Sequence, residues 1–263
     1  MKTSSTFHTD PAVDSLMAET RQRRGYVIIL PGIEGYSWLN RRIRAGLVQA
    51  EVPYAIEIHD WTRRLPRAIY NLRSRRLHRQ QSRIVQNKIL AYQQRWPQRP
   101  VFLIGHSGGG AMALRILEDL PEKTSISGAV LLGAAISPYF DFRKALQHVD
   151  RKIWNMTSLA DVIFLGMLTL TAGTLDGYHS VSAGMVGFRP PPLSIHEVDK
   201  FEEMPYRTEY WQYGHLAGHF GFTAPRFVKN YIAPLLMQAE ARCPETDVNA
   251  VSASEALPNP AGS

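Results

Sequence analysis

The stretch VFLIGHSGGGAMAL, residues 101–114, constrains the fold more than any other part of the chain. Residues 101–104 form a short continuous apolar run, the pattern of a strand buried on both faces of a sheet. Residues 111–120 then show helical periodicity. Between the two, Gly105, Gly108, Gly109 and Gly110 crowd around His106 and Ser107. The glycines either close a tight turn or serve to present the hydroxyl. Flanks without side chains let strand and helix pack closely while a serine hydroxyl stands clear of its own backbone.

The same alternation runs along the chain. Residues 26–30 (YVIIL), 54–58 (YAIEI), 101–105, 127–135 and 152–158 read as strands, and 206–214 as a sixth. Helical patterns fall at 38–50, 84–96, 111–120, 142–149 and 225–238, the last interrupted by Pro234. Apolar strands alternating with helices predict an α/β fold, a mostly parallel central sheet with helices on both faces. Ligands of such sheets bind beyond the carboxyl ends of the strands, so the residues after each strand are the ones to examine. Residues 1–24 read as a polar arm carrying a short helix, 25–242 as the folded domain, and 243–263 as a disordered tail.

The segment Gly105-His106-Ser107-Gly108-Gly109, in its strand-to-helix setting, resembles the nucleophile elbow of the α/β-hydrolase superfamily. The resemblance spans roughly residues 25–240 and implies a serine, an acid and a histidine, in that chain order, working through an acyl-enzyme. Asp161, just beyond the fifth strand, is the expected acid, with Asp176 as a rival; Asp141 reads as a helix cap. The base is expected on the glycine-set loop YGHLAGHFGF, at His219 rather than His215. A metal held by those two histidines is disfavoured, because Gly218 lies in a poor helical support and no carboxylate stands nearby. By the same resemblance the oxyanion donors are the backbone N–H groups of Gly108 and of Ile33, in the loop LPGIEG after the first strand. No large cap is inserted between the fourth and fifth strands, which leaves room for one helix only. Trp61 after the second strand, and Phe164 and Met167 in the long segment before residue 205, are candidate substrate contacts or core.

The glycines follow a middle strand, and no acidic residue stands about 20 positions later, which argues against a dinucleotide site. A P-loop is excluded because the Gly-Lys-Ser/Thr ending is missing. The expected function is therefore hydrolysis of a small-molecule acyl ester or thioester, without metal or cofactor. Amide hydrolysis or acyl transfer would use the same residues, and a non-catalytic binding protein is the remaining alternative.

The net charge is +7, and residues 61–117 contain no Asp or Glu while arginines accumulate. This basic run reads first as a solvated helical face and second as a contact for an anionic membrane surface. Specific nucleic-acid binding is not expected, since no recognised motif accompanies it. The one cysteine, Cys243, offers no internal disulfide. The N-terminus lacks a signal-peptide core, and no apolar stretch of about 18 residues is present, so a cytoplasmic location is expected.

Overall fold

The structure, a computed structural model, describes residues 15–63, 68–160, 174–176, 181–190 and 192–238. In chain order the elements are α1 (Glu19–Gln22), β1 (Tyr26–Leu30), α2 (Trp38–Gln49), β2 (Ala55–Ile58), α3 (Ala68–Arg73) and α4 (Arg75–Arg95). They continue with β3 (Val101–His106), α5 (Gly108–Glu118), β4 (Ile126–Leu132), α6 (Arg143–Leu146), β5 (Val149–Thr157), α7 (Ala183–Val186), α8 (Ile195–Asp199) and β6 (Phe201–Pro205). Two 3-10 helices (Thr208–Tyr213 and His219–Thr223) lead to α9 (Pro225–Phe227), a π-helical turn (Val228–Ile232) and α10 (Ala233–Met237).

The six strands form one sheet in the order β2-β1-β3-β4-β5-β6, and every neighbouring pair is parallel. Both faces of the sheet are covered, which is why its strands read as unbroken apolar runs. Ile28, Leu30, Leu103 and Leu131 pack on one side with Val85 and Ile89 of α4 and Met112 and Ile116 of α5. Val27, Ile29, Phe102 and Ile104 pack on the other with Ile43 and Leu47 of α2 and Phe227 of α9. The chain leaves β1 toward one face and β3 toward the other. The carboxyl ends of these two adjacent strands therefore form the switch point of the sheet, the crevice where parallel sheets hold ligands.

Three elements depart from the sequence expectation. The sixth strand is Phe201–Pro205, and 208–213 is a 3-10 helix. The sequence FEEMP hides the strand because it lies at the sheet edge with two glutamates: Lys152 Nζ donates to Glu202 at 2.9 Å, and Asn155 Nδ2 to Glu203 at 3.0 Å. The aromatic residues after it mimic a strand but pack at helical spacing, with Tyr206, Tyr210 and Phe227 surrounding His215. The helix expected at 84–96 begins at Arg75, where Ser74 Oγ accepts from Leu77 N at 3.3 Å. The helix expected at 142–149 shrinks to the four residues of α6, because β5 already begins at Val149. This short connection is the only element between β4 and β5, and no cap domain is inserted there.

Near the N-terminus, α1 lies against the domain: Arg21 Nε donates to Tyr54 O at 2.9 Å, and Tyr92 Oη to Gln22 O at 2.6 Å. At the far end, Pro234 lacks an N–H and would crowd the carbonyl four residues earlier; the ladder opens into the π turn just before it. The expected C-terminal tail lies outside the described residues. No helix among the described residues is long and apolar enough to cross a membrane.

Candidate active site

The turn from β3 into α5 holds Ser107 at φ 54° and ψ −119°. A serine pays roughly 1–3 kcal/mol to remain in such a conformation, so neighbouring contacts must over-determine it. They do: Ser107 N donates to Leu132 O at 2.9 Å, and Ser107 O accepts from Gly110 N at 3.0 Å and from Ala135 N at 3.1 Å. The flanking glycines are required by contact. A Cβ on Gly105 would overlap the Gly109 carbonyl, and one on Gly109 would overlap the carbonyl of Leu30 in β1. Ser107 thus sits at the first turn of the 11-residue helix α5, whose free N–H groups and dipole favour negative charge.

The loop after β1 meets this turn. A Cβ on Gly108 would stand 3.6 Å from Ile33 N, so the two expected oxyanion donors are neighbours. The loop is pinned from behind. Asn71 Nδ2 donates to Ile33 O at 3.1 Å and to Arg63 O at 2.8 Å, and Trp61 Nε1 donates to Pro31 O at 2.7 Å. Of the two readings left open for Trp61, its surroundings are those of a core residue: it is completely buried, edge-on to His78 with ring centroids 5.7 Å apart, and it anchors the loop after β1.

The two histidines of the late loop have different surroundings. His215 is fully buried among Tyr206, Tyr210, Phe222 and Phe227, and neither ring nitrogen has a hydrogen-bond partner among the described residues. Desolvation pulls its pKa down to about 4, so it is neutral at pH 7. His219 packs on His106, ring centroids 4.6 Å apart, with His106 Nε2 3.4 Å from His219 O. A Cβ on Gly133, the residue after β4, would lie 3.3 Å from His219 Nδ1. His219 therefore stands beside the elbow, while His215 belongs to the aromatic core. His106 packs under the turn, and burial holds its pKa well below the usual imidazole value.

Asp161, Phe164 and Met167 lie outside the described residues. The segment leading to Asp161 is tied to the histidine loop, because Ser158 Oγ donates to Ala217 O, two residues before His219. Asp141 is exposed and paired with Arg143 at 2.6 Å, and its Oδ1 accepts from Arg143 N at 3.2 Å, as a capping residue would. Asp176 accepts from Ser137 N at 3.1 Å through Oδ1, beside the loop that follows β4.

Glu34 was not singled out by the sequence reading. It lies in the loop after β1, folds its carboxylate over Gly32, and Ser37 Oγ donates to its Oε1 at 3.4 Å. Burial raises its pKa above the ordinary carboxylate value, while the charge of His219 opposes that rise. Its signal was present in the sequence as the one charged residue in an otherwise apolar and glycine-rich loop, LPGIEG.

A parallel sheet with a serine on a strained turn after its third strand, and a histidine brought there from the loop after the last strand, specifies one architecture. The fold is that of the α/β-hydrolases. The profile of a family described as serine aminopeptidase, S33, matches residues 78–169, a segment that includes the elbow. No curated protein matches the chain. Solved structures with similar arrangements include a cutinase-like protein from Cryptococcus (12% identity, 82% of this chain and 94% of that one, TM-score 0.43). A CIB-like hydrolase from Thermoplasma acidophilum (10% identity, 84% and 89%, TM-score 0.43) is another. A lipase-esterase related protein from Clostridium acetobutylicum (14% identity, 81% and 96%, TM-score 0.42) is a third.

Proposed function

We propose that the protein is a serine hydrolase of acyl esters or thioesters that acts through an acyl-enzyme on Ser107. The observation that carries this reading is the backbone of Ser107, a costly conformation whose evident use is to aim a hydroxyl. Ser107 Oγ attacks the acyl carbonyl, and His219 takes its proton. The N–H groups of Gly108 and Ile33 receive the charge that develops on the carbonyl oxygen, aided by the positive end of α5. His219 returns the proton to the leaving alkoxide or thiolate. Water, deprotonated by His219, then releases the carboxylic acid and regenerates Ser107. Asp161 is the residue we assign to orient His219 and stabilise its charged form.

One observation favours a second reading, hydrolysis of an amide next to a free amine. The matched family is described as an aminopeptidase, and Glu34 supplies a carboxylate beside His219 that could receive an ammonium group. A paired assay decides between them: p-nitrophenyl esters of increasing chain length against aminoacyl p-nitroanilides, each with wild type and Ser107→Ala. Ester turnover that vanishes in Ser107→Ala is expected. Anilide turnover in excess of ester turnover would favour the second reading, and activity that survives Ser107→Ala would overturn both.

A further inference from the structure

Three of the arginines of α4, Arg75, Arg76 and Arg79, fall within its first five residues. The amino end of α4 meets the active-site loops, since His78 stacks on Trp61 and His78 Nε2 hydrogen-bonds Asn71 O, the residue that holds Ile33. Its carboxyl end meets the opposite end of the sheet, where Tyr92 packs on Tyr26 at 5.0 Å and Gln93 Nε2 donates to Ser125 O at 2.6 Å. Arg75, Arg76 and Arg79 therefore stand exposed at the active-site end, and no ion pair among the described residues involves them. Cations at a helix N-terminus oppose the helix dipole, and the first turn of α4 carries no acidic residue. The placement works against helix stability, which is the mark of a group kept for something outside the helix.

The same end of the molecule exposes large apolar side chains in the segments that follow four different strands: Tyr36 and Trp38 after β1, Tyr70 after β2, Leu159 after β5, and Leu216 and Phe220 after β6. Leu159 is 71% exposed and Leu216 65%. Two of the aromatic rings are already covered by guanidinium groups, Trp38 by Arg42 at 4.9 Å and Tyr70 by Arg63 at 5.4 Å. Arginine and aromatic side chains interleaved with free aliphatic tips match the lipid headgroup region, where charge meets phosphate and the tips reach hydrocarbon. A nucleic acid gives the two leucines nothing to bind and needs uncovered rings for stacking.

We propose that the face around Ser107 docks on bilayers containing anionic phospholipid. Docked in this way, the end of the sheet that carries Ser107 faces the membrane, and the neutral apolar tips enter between headgroups held by Arg75, Arg76 and Arg79.

The test is co-sedimentation of the full chain with vesicles of phosphatidylglycerol and phosphatidylcholine, against vesicles of phosphatidylcholine alone, at low and high salt. Binding to the anionic vesicles that weakens with salt, and little binding to the neutral ones, is expected. Each arginine lost at an anionic surface removes about fivefold in partitioning. Arg75→Glu/Arg79→Glu should therefore lose at least about 25-fold, with an unchanged or higher melting temperature, because glutamate suits a helix N-terminus. Arg99→Glu/Lys123→Glu, the same change in net charge at the opposite end, should keep its binding within about threefold of wild type. Absence of binding to anionic vesicles, equal binding to neutral vesicles, or equal loss in the two variants would overturn the proposal. So would tighter binding to a DNA or RNA oligonucleotide that is lost in the same variant.

Discussion

At the amino end of the sheet several polar groups that cover the core find partners, although the buried Trp96 Nε1 has none among the described residues. Arg21 and Tyr92 donate to carbonyls of Tyr54 and Gln22, Gln93 donates to Ser125 O, and His148 hydrogen-bonds Thr124 O at 2.7 Å. The carboxyl end differs in kind. Positive φ occurs at both ends, at Glu51, Gln98 and Lys123 as well as at Ser107 and Ala217, but only the carboxyl end has Ser107 with φ 54° and ψ −119°, Glu34 shifted upward by burial, and Leu159 and Leu216 facing solvent. Such costs concentrate where a function uses them. The comparison can be broken by variants whose effects on rate and on stability are measured separately.

The largest effect is expected for Ser107→Gly. Glycine adopts φ 54° freely, so the variant should gain about 1 kcal/mol in denaturant unfolding while esterase activity falls on the order of 10⁴-fold or more. A loss of stability on this substitution would deny that the turn is strained.

The two late histidines extend the contrast. His215→Ala should lose about 2–4 kcal/mol by leaving a hole in the aromatic core, with specific activity of the folded fraction kept. His219→Ala should do the reverse, losing on the order of 10³-fold or more in turnover with little change in melting temperature. Urea unfolding and initial rates on the same preparations decide it.

Glu118, at the end of α5, is the amino-end exception. Burial raises its pKa to about 7. The folded state then holds this proton more tightly than the unfolded state, so stability should be greatest below the unfolded pKa near 4.5 and fall as the pH rises through 7. Glu118→Gln should flatten that slope and gain about 1–2 kcal/mol at pH 8, with turnover unchanged. Thermal melts from pH 5 to 8 provide the measurement.

The smallest effect concerns Glu34. Burial raises the pKa of its carboxyl, so the folded state holds this proton more tightly than the unfolded state, and Glu34→Gln should gain less than about 1 kcal/mol in urea unfolding at pH 8, a gain lost below about pH 4. A variant less stable than wild type at pH 8 would deny that burial disfavours the charged carboxylate.

Much of this arrangement was legible in the residues. Buried parallel strands such as YVIIL and VFLIG are visible because both faces are apolar, and the elbow is visible because its glycines are forced by backbone contact with Leu30 and Gly109. What stayed hidden depends on tertiary packing. Glu202 and Glu203 disguise β6 until Lys152 and Asn155 are placed beside them. Trp61 stays open between pocket and core until its N–H is seen on Pro31 O. The burial of His215 needs the aromatic side chains that the chain delivers from residues 206–227, although the glycine-set loop already favours His219 as the base. Glu34 has no spacing rule that would single it out, and its significance lies only in where the loop after β1 carries it.

The most direct measurement is the intact mass of the full chain after reaction with a fluorophosphonate, followed by peptide mapping. One adduct is expected, formed as Ser107 Oγ bonds to phosphorus and fluoride leaves, absent from Ser107→Ala and markedly slowed in His219→Ala. An adduct that persists in Ser107→Ala, or a folded wild-type protein that takes up none, would contradict the assignment of Ser107 as the nucleophile.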